Sequence, residues 1–267
     1  MKQTGFEQVT AIIKTFERPH CLDRLIASIR EYYPEMPIIV ADDSRRPAVR
    51  NDVEYHVLPK DSGLSRGRNY LVKQVKTPYT LLLDDDFCFI RETDIGKLLR
   101  AMKAGGFDIV GGRYLEPKGV RNSQGTFKLS RGVLHYLVKS RGKKAGLPRY
   151  DIVNNFFLAR TEALRRCRWD DRLKTGGQHL DFFLQHKGKL KVAMHPGVFV
   201  YHTNDRSSET YVKFRSRDRT TFKPMFMKKH GIKKIRRERG LFRPVRTVKK
   251  RLSRETRMLL RSGRKGA

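Results

Sequence analysis

The sequence predicts an α/β fold with a mainly parallel central sheet, helices on both faces, and a basic helical extension at the C-terminus. Short apolar runs rich in β-branched residues alternate with stretches of helical periodicity, the pattern of a parallel sheet. Three polar clusters, Thr15 to Arg18, Asp42 with Asp43, and Asp84 to Asp86, follow such runs, at strand ends where parallel sheets bind ligands. Lys and Arg crowd the end of the chain: residues 206–267 hold 23 basic and 4 acidic side chains, +19 of the total +32.

Val9 to Lys14 is the first expected strand, and Pro19 suits the first turn of the helix after it. Leu22, Leu25, Ile26, Ile29 and Tyr33 share one helical face, which Pro34 ends. The run PIIVADDS is a second strand, and Val53 to Leu58 a short third. Leu64, Leu71, Val72 and Val75 mark a helix entered through KDSGLSRGRN, and Pro78 separates it from the strand YTLLLDDD. Beyond Asp86 the pattern weakens. Glu92 to Lys103 reads as helix, Phe107 to Gly111 as strand, and GGRYLEPKGVRNSQG as loop or hairpin. Val153 to Ala159 reads as a buried strand, Thr161 caps a helix reaching Cys167, and LKVAMHPGVFVYH is strand, turn, strand. The expected division is a domain over residues 1–220 and an extension over 221–267.

The length of 267 residues suffices for a substantial core. The charge excess implies a polyanionic partner: nucleic acid, an acidic membrane or an acidic polymer. Cys21, Cys88 and Cys167 lie far apart, with no CxxC pair and no His at metal-ligand spacing. That argues against a zinc site or disulfide framework and for reduced thiols. The N-terminus lacks an apolar stretch of signal-peptide length and no 18-residue apolar run occurs, so a cytoplasmic protein is expected.

Asp84, Asp85 and Asp86 concentrate up to three negative charges directly after Leu83. Like charges so close repel, and a divalent cation removes the conflict; carboxylate oxygens suit Mg²⁺ or Mn²⁺, which in turn suit a diphosphate. In SGLSRGRN, Gly63 and Gly67 permit close backbone approach, while Arg66, Arg68 and Asn69 bring donors to a helix start, where phosphates bind.

The succession TFERPHCLDRLIASIREYYP, IIVADDS, LSRGRNYLVKQVKTPYTLLLDDDFCF, NNFFLART and HLDFFL, over residues 8–215, resembles inverting glycosyltransferases of the Rossmann-like GT-A fold. It is most similar to the branch containing the β-1,4-N-acetylgalactosaminyltransferases, and more broadly to family-2-type bacterial enzymes. The resemblance implies a UDP-sugar donor, with Thr15 and Arg18 bordering the nucleotide, Asp42 or Asp43 on the uracil or ribose, and Arg68 and Asn69 on the donor. It sets Asp84, with Asp85 beside it, toward ribose and metal. Asp86 becomes the principal ligand of Mn²⁺ or Mg²⁺, with His202 a further ligand. It also implies a carboxylate base after a glycine-rich turn, a place that Asp181 in TGGQHLDFF fits. Many relatives carry an acidic pair after the two glycines; Gln178 and His179 stand there in this chain, which leaves His179 as a reserve base or acceptor contact. Tyr211, Lys213 and Arg215 would belong to a segment that closes over the diphosphate.

In the tail, Ile232, Ile235, Leu241, Phe242, Val245, Val248, Leu252, Met258, Leu259 and Leu260 punctuate Lys and Arg. Parts of this form an apolar stripe opposite a basic face, as in helices lying on an anionic leaflet. The expected partners are a UDP-sugar, a glycan or lipid-linked acceptor and an anionic membrane, with the protein peripheral on the cytoplasmic face of the inner membrane. Two rivals remain: a nucleic-acid-binding protein, and a catalytically inactive sugar-binding protein of the same fold. Against nucleic acid, the chain shows no helix-turn-helix, zinc-finger, RNP or KH signature, and aromatics are sparse among the tail's cations.

Overall fold

The computed structural model describes residues 6–117, 119–121, 123–238, 242–244 and 252–262. The chain begins β1 (Val9–Thr15), α1 (Pro19–Tyr32), β2 (Ile38–Asp42), β3 (Glu54–Val57), α2 (Leu64–Gln74), β4 (Tyr79–Asp84), β5 (Phe87–Cys88), α3 (Ile95–Gly105) and β6 (Ile109–Glu116). Five short strands follow: β7 (Gly119–Arg121), β8 (Thr126–Ser130), β9 (Val133–Leu137), β10 (Lys143–Lys144) and β11 (Leu147–Tyr150). Next come β12 (Phe157–Arg160), α4 (Thr161–Arg166), α5 (Gln178–Gln185) and β13 (Val192–His202). The last part holds α6 (Glu209–Arg217), a π-helical turn (Asp218–Phe222), α7 (Lys223–Lys229), β14 (Lys234–Arg237), β15 (Phe242–Pro244) and α8 (Arg254–Ser262).

The central sheet has the order β10-β11-β13-β6-β12-β4-β1-β2-β3. β1 runs parallel to β2 and β4, and β3 parallel to β2. β12 enters antiparallel between β4 and β6, and β13 rejoins parallel to β6. All seven residues of β1 are buried. Ala11 and Ile13 pack with Leu22, Leu25 and Ile29 of α1 and Leu98 of α3 on one face. Ile12 packs on the other with Leu71 and Val72 of α2 and Phe182 and Phe183 of α5. Burial on both faces makes such a strand an unbroken apolar run in sequence, and each buried aliphatic side chain contributes about 1.5–3 kcal/mol.

The expected GT-A-like core is therefore present. LKVAMHPGVFVYH forms one strand, β13, whose pairing with β6 is irregular between Met194 and Phe199. The Pro196–Gly197 step read as a turn is absorbed as a break in that ladder.

Chain beyond residue 220, expected as a separate extension, packs into the domain. Phe222, Phe226 and Ile232 join the core on the α2 side. β14 pairs parallel with β9, which pairs with β8, as a second sheet. Leu252 is buried with Phe199 and Tyr201. Glu92 accepts hydrogen bonds from the Ser253 amide and, at 2.6 Å, from the Thr256 hydroxyl, so it clamps the start of α8. Ile232, Ile235 and Leu252 of the expected stripe thus face inward, because the core has room for them, while Met258 is 62% exposed. Leu241, Val245, Val248 and the side chains of Phe242, Leu259 and Leu260 lie outside the described residues. Among the described residues no helix is long and apolar enough to cross a membrane, and all three cysteines are free.

Candidate active site

The C-terminal ends of β1, β2, β4, β6 and β13 open onto one cavity of about 770 Å³, bounded also by the starts of α2 and α5 and by α6. Its floor is a charge network. Lys14 is buried, forms an ion pair with Asp43 and donates to the Thr15 carbonyl at 2.6 Å. Asp43 also accepts from the Gly63 amide at 2.7 Å, tying β1 and β2 to the entrance of α2. Asp42 does not line the cavity: its carboxylate accepts from the Tyr55 hydroxyl at 2.5 Å and the Ser44 amide at 2.8 Å. Of the expected nucleotide-side pair, Asp43 alone therefore faces the site.

The Asp triplet divides by direction, as successive residues leaving a strand must. Asp84 accepts from Arg68 Nη2 at 2.7 Å and from Asn155 Nδ2 at 3.2 Å. Asp85 accepts from Thr15 Oγ1 at 2.8 Å and pairs with Arg18, and burial pushes its carboxyl up. Asp86 lies 3.2 Å from Arg18 Nη1 and 3.4 Å from His202 Nε2. Burial works against its charge, but His202 and Arg18 outweigh that and hold Asp86 down to about 2. His202 Nδ1 stands 2.8 Å from Glu116 Oε1. Burial disfavours the imidazolium, yet the Asp86 and Glu116 carboxylates raise its pKa to about 9.

Arg68 is 1% exposed, and among the described residues its Nε and Nη1 have no hydrogen-bond partner, which leaves donor capacity beside Asp84. Asn69, expected on the donor, points away instead. Its amide donates to the Trp169 carbonyl at 2.9 Å and Asp171 at 2.6 Å, and accepts from the Trp169 amide at 3.0 Å. Arg68, roughly 100° around the helix, turns to Asp84 instead, and neither side chain lines the cavity.

α5 starts at Gln178 behind Gly177 (φ +71°), and Gln178, His179 and Leu180 line the cavity. Asp181, the expected base, does not. It is 0% exposed, 2.7 Å from His230 Nε2 and 2.8 Å from Lys229 Nζ at the end of α7. Its partners, Lys229 and His230, hold it on the far side of the helix. Burial and the Arg68 charge lower the His179 pKa to about 3, so this ring is neutral and too weakly basic to hold an acceptor proton.

α6 carries no buried residue and lies over the cavity through its side chains. Tyr211 covers the Arg18 guanidinium at 3.7 Å, Phe214 meets Phe16 at 5.0 Å, and Arg217 pairs with Asp61 at 2.6 Å. Arg215 reaches the cavity, whereas Lys213 is exposed outside its lining. Sequence reasoning missed Glu116, Asn155 and Asp205, which all line the cavity. Only the Glu116 carboxylate, at the end of GGRYLE, carried a strand-end signal.

Asp84 and Asp86 offer hard carboxylate oxygens of the kind a divalent cation takes, and the His202 imidazole lies 3.4 Å from Asp86. Among the described residues, the group of three whose ligand atoms all lie within 4.8 Å of one another is instead His20, Cys21 and Asp205. There Arg24 already supplies a cation, 3.5 Å from Cys21 Sγ and 3.6 Å from Asp205, and burial pushes the thiol up to about 12.

Residues 10–174 match the description of Glycosyl transferase family 2. The chain is 39% identical over 205 residues to β-1,4 N-acetylgalactosaminyltransferase 2 of Mus musculus, covering 73% of this chain and 39% of that protein. It is 36% identical to β-1,4 N-acetylgalactosaminyltransferase 1 of the same species, covering 78% and 43%. The chain thus spans about two-fifths of the length of these relatives. Among solved structures, S. aureus TarS 1-349 in complex with UDP-GlcNAc superposes with a TM-score of 0.54 at 16% identity, covering 78% of this chain and 60% of that one. That likeness bears on the fold. With a family match across strands β1 to β4 and on to α4, the chain belongs to glycosyl transferase family 2.

Proposed function

We propose that this chain is a metal-dependent inverting glycosyltransferase that moves a hexose or N-acetylhexosamine from a UDP-sugar to a hydroxyl of a glycan or glycolipid. The observation that carries the reading is the convergence of Asp84, Asp85 and Asp86 with Arg18 and His202 in one cavity at the strand ends, with Arg68 paired to Asp84 from outside the lining. The names of the relatives, N-acetylgalactosaminyltransferases, and the UDP-GlcNAc bound by TarS favour an N-acetylhexosamine donor.

Asp86, Asp84 and His202 would hold Mn²⁺ or Mg²⁺, which supplies Lewis-acid stabilisation of the leaving diphosphate. Arg18 and Arg68 bring fixed cations to the same place, and their burial makes each worth more than in water. Lys14 and Asp43 set the floor beneath the nucleoside. Tyr211 and Phe214 cover the opening, excluding water that would otherwise hydrolyse the donor. The positive surface left over would dock the protein on the cytoplasmic face of an anionic membrane, where a lipid-linked acceptor resides.

The test is nucleoside diphosphate release from a panel of nucleotide-sugars, with a simple sugar acceptor, in Mn²⁺ and in chelator. Release from one UDP-sugar that disappears with chelator is expected. Absence of both release and nucleotide-sugar binding across the panel would falsify the reading.

A further inference from the structure

An inverting transfer needs a group that accepts the acceptor hydroxyl's proton. α5 offers the cavity none, because Asp181 is tied to α7 and His179 is neutral and weakly basic. Among the described residues eight carboxylates line the cavity, and seven are engaged. Asp61 pairs with Arg217 and Lys174, and Asp205 pairs with Arg24 and accepts from Ser207. The networks of Asp43, Asp84, Asp85, Asp86 and Glu116 are those described above. The eighth is Asp218, half-buried; among the described residues no hydrogen bond or ion pair engages its side chain.

Resting on the transfer reading, we propose that Asp218 is the base that deprotonates the acceptor hydroxyl. The fold delivers it to the tip of α5 from the opposite side. A Cβ on Gly176 would lie 1.4 Å from Asp218 Oδ1, so the carboxylate occupies the space that a side chain at 176 would take. This gives the first glycine of TGGQ a purpose distinct from that of Gly177, whose positive φ caps α5.

Asp218 opens the π-helical turn between α6 and α7. The wider turn re-aims a side chain relative to the helix before it, a device common at functional sites. Both flanks are anchored, Arg217 by Asp61 and Phe222 by the core. Because Arg217 is held by Asp61, it does not neutralise its neighbour.

In the reaction, Asp218 takes the acceptor O–H proton as that oxygen bonds to the anomeric carbon. The bond from that carbon to the diphosphate oxygen breaks, and its electron pair leaves with UDP. The protonated carboxyl then returns its proton to water once the product departs.

Asp218→Asn tests this in the full chain, with kcat, donor KM, UDP affinity by calorimetry and the pH profile as readouts. The expected result is a kcat loss of about 100-fold or more, donor KM and UDP affinity within about twofold, and disappearance of the acidic limb of the kcat profile. Asp218→Glu should restore part of the rate. A kcat within threefold of the parent overturns the assignment, as does a loss confined to UDP affinity or donor KM, which would make Asp218 a donor contact. Gly176→Ala, which displaces the carboxylate without removing it, should lose rate in the same direction. If Asp218→Asn fails to fold, full activity of Gly176→Ala overturns the proposal. An unmodified chain that binds and transfers nothing brings down the transfer reading itself and this proposal with it, a result distinct from an active chain indifferent to Asp218.

Discussion

Asp181→Asn separates a structural carboxylate from a catalytic one. Asp181 is fully buried between His230 Nε2 at 2.7 Å and Lys229 Nζ at 2.8 Å. Substitution by the neutral, same-sized amide removes two charge-assisted hydrogen bonds, each worth about 1.5–3 kcal/mol. Lys229 keeps Asp170 at 2.9 Å and Gln185 at 3.1 Å, so its share is partly replaced. Among the described residues, His230 has no such second carboxylate in contact. A net loss of roughly 2–4 kcal/mol follows, which in a domain of this size lowers Tm by roughly 5–15 °C. Thermal and urea unfolding read the stability, and kcat measured well below the new Tm reads the chemistry. We expect a destabilised enzyme with kcat within about threefold of the parent. An unchanged Tm with kcat down by about 100-fold or more would refute the reasoning, placing Asp181 back in the cavity as a base.

Glu116→Gln should weaken Mn²⁺ binding to the donor-free protein by about 10–100-fold, since the carboxylate orients the other nitrogen of His202; an unchanged Mn²⁺ titration would remove His202 from the ligand set. Gly63→Ala places a side chain at φ +87° and a Cβ 2.6 Å from Lys174 Cα, so a stability loss of about 1–3 kcal/mol is expected in chemical denaturation, and none at all would contradict the close packing of α2 on the 173–177 loop. Burial works to raise the Asp61 carboxyl, but Arg217 and Lys174 outweigh it and hold it below the usual range. A depressed folded pKa means the clamp on α6 is complete above the unfolded value of about 3.9 and is lost as pH falls below that, through the folded value. Amide exchange of residues 209–217, corrected for intrinsic rates, should therefore stay flat from about pH 5 to 8, while Asp61→Asn speeds it by roughly fivefold or less, the size of a partly exposed pair; pH-dependent opening within that window would count against the clamp.

The first half of the domain was legible because its strands are buried on both faces and therefore appear as apolar runs ending in charge. Thr15, Arg18, Asp43, Asp84 to Asp86 and His202 all line the cavity at strand ends or just beyond them. Asp181 was misplaced because its partners, Lys229 and His230, lie 48 and 49 residues later. Local spacing alone cannot say which side of α5 a carboxylate will choose when a distant cation decides. The second sheet escaped notice for a related reason. KIRR in β14 has little strand propensity of its own and is ordered by parallel pairing with β9, about a hundred residues earlier in the chain.

The same long-range pairing changes what the net charge of +32 means. Read along the sequence, the cations after residue 205 form a tail awaiting a polyanion. In the fold, Arg217 belongs to Asp61, Lys229 to Asp181 and Asp170, and the apolar residues between such cations, Phe222, Phe226 and Ile232, belong to the core. These segments build one wall of the cavity, and one of them brings Asp218 to the tip of α5. The cations left for an external surface are those on exposed positions such as Lys234 and Arg236 of β14 and Arg254 of α8. Surface charge and the cavity wall are therefore interleaved residue by residue. Deleting the chain beyond residue 220 would remove Lys229 and His230 from Asp181, and Phe222 from behind Asp218. A truncated protein that lost activity would thus say nothing about membranes, whereas charge reversal at Lys234 and Arg236, which leaves the wall intact, isolates the surface term.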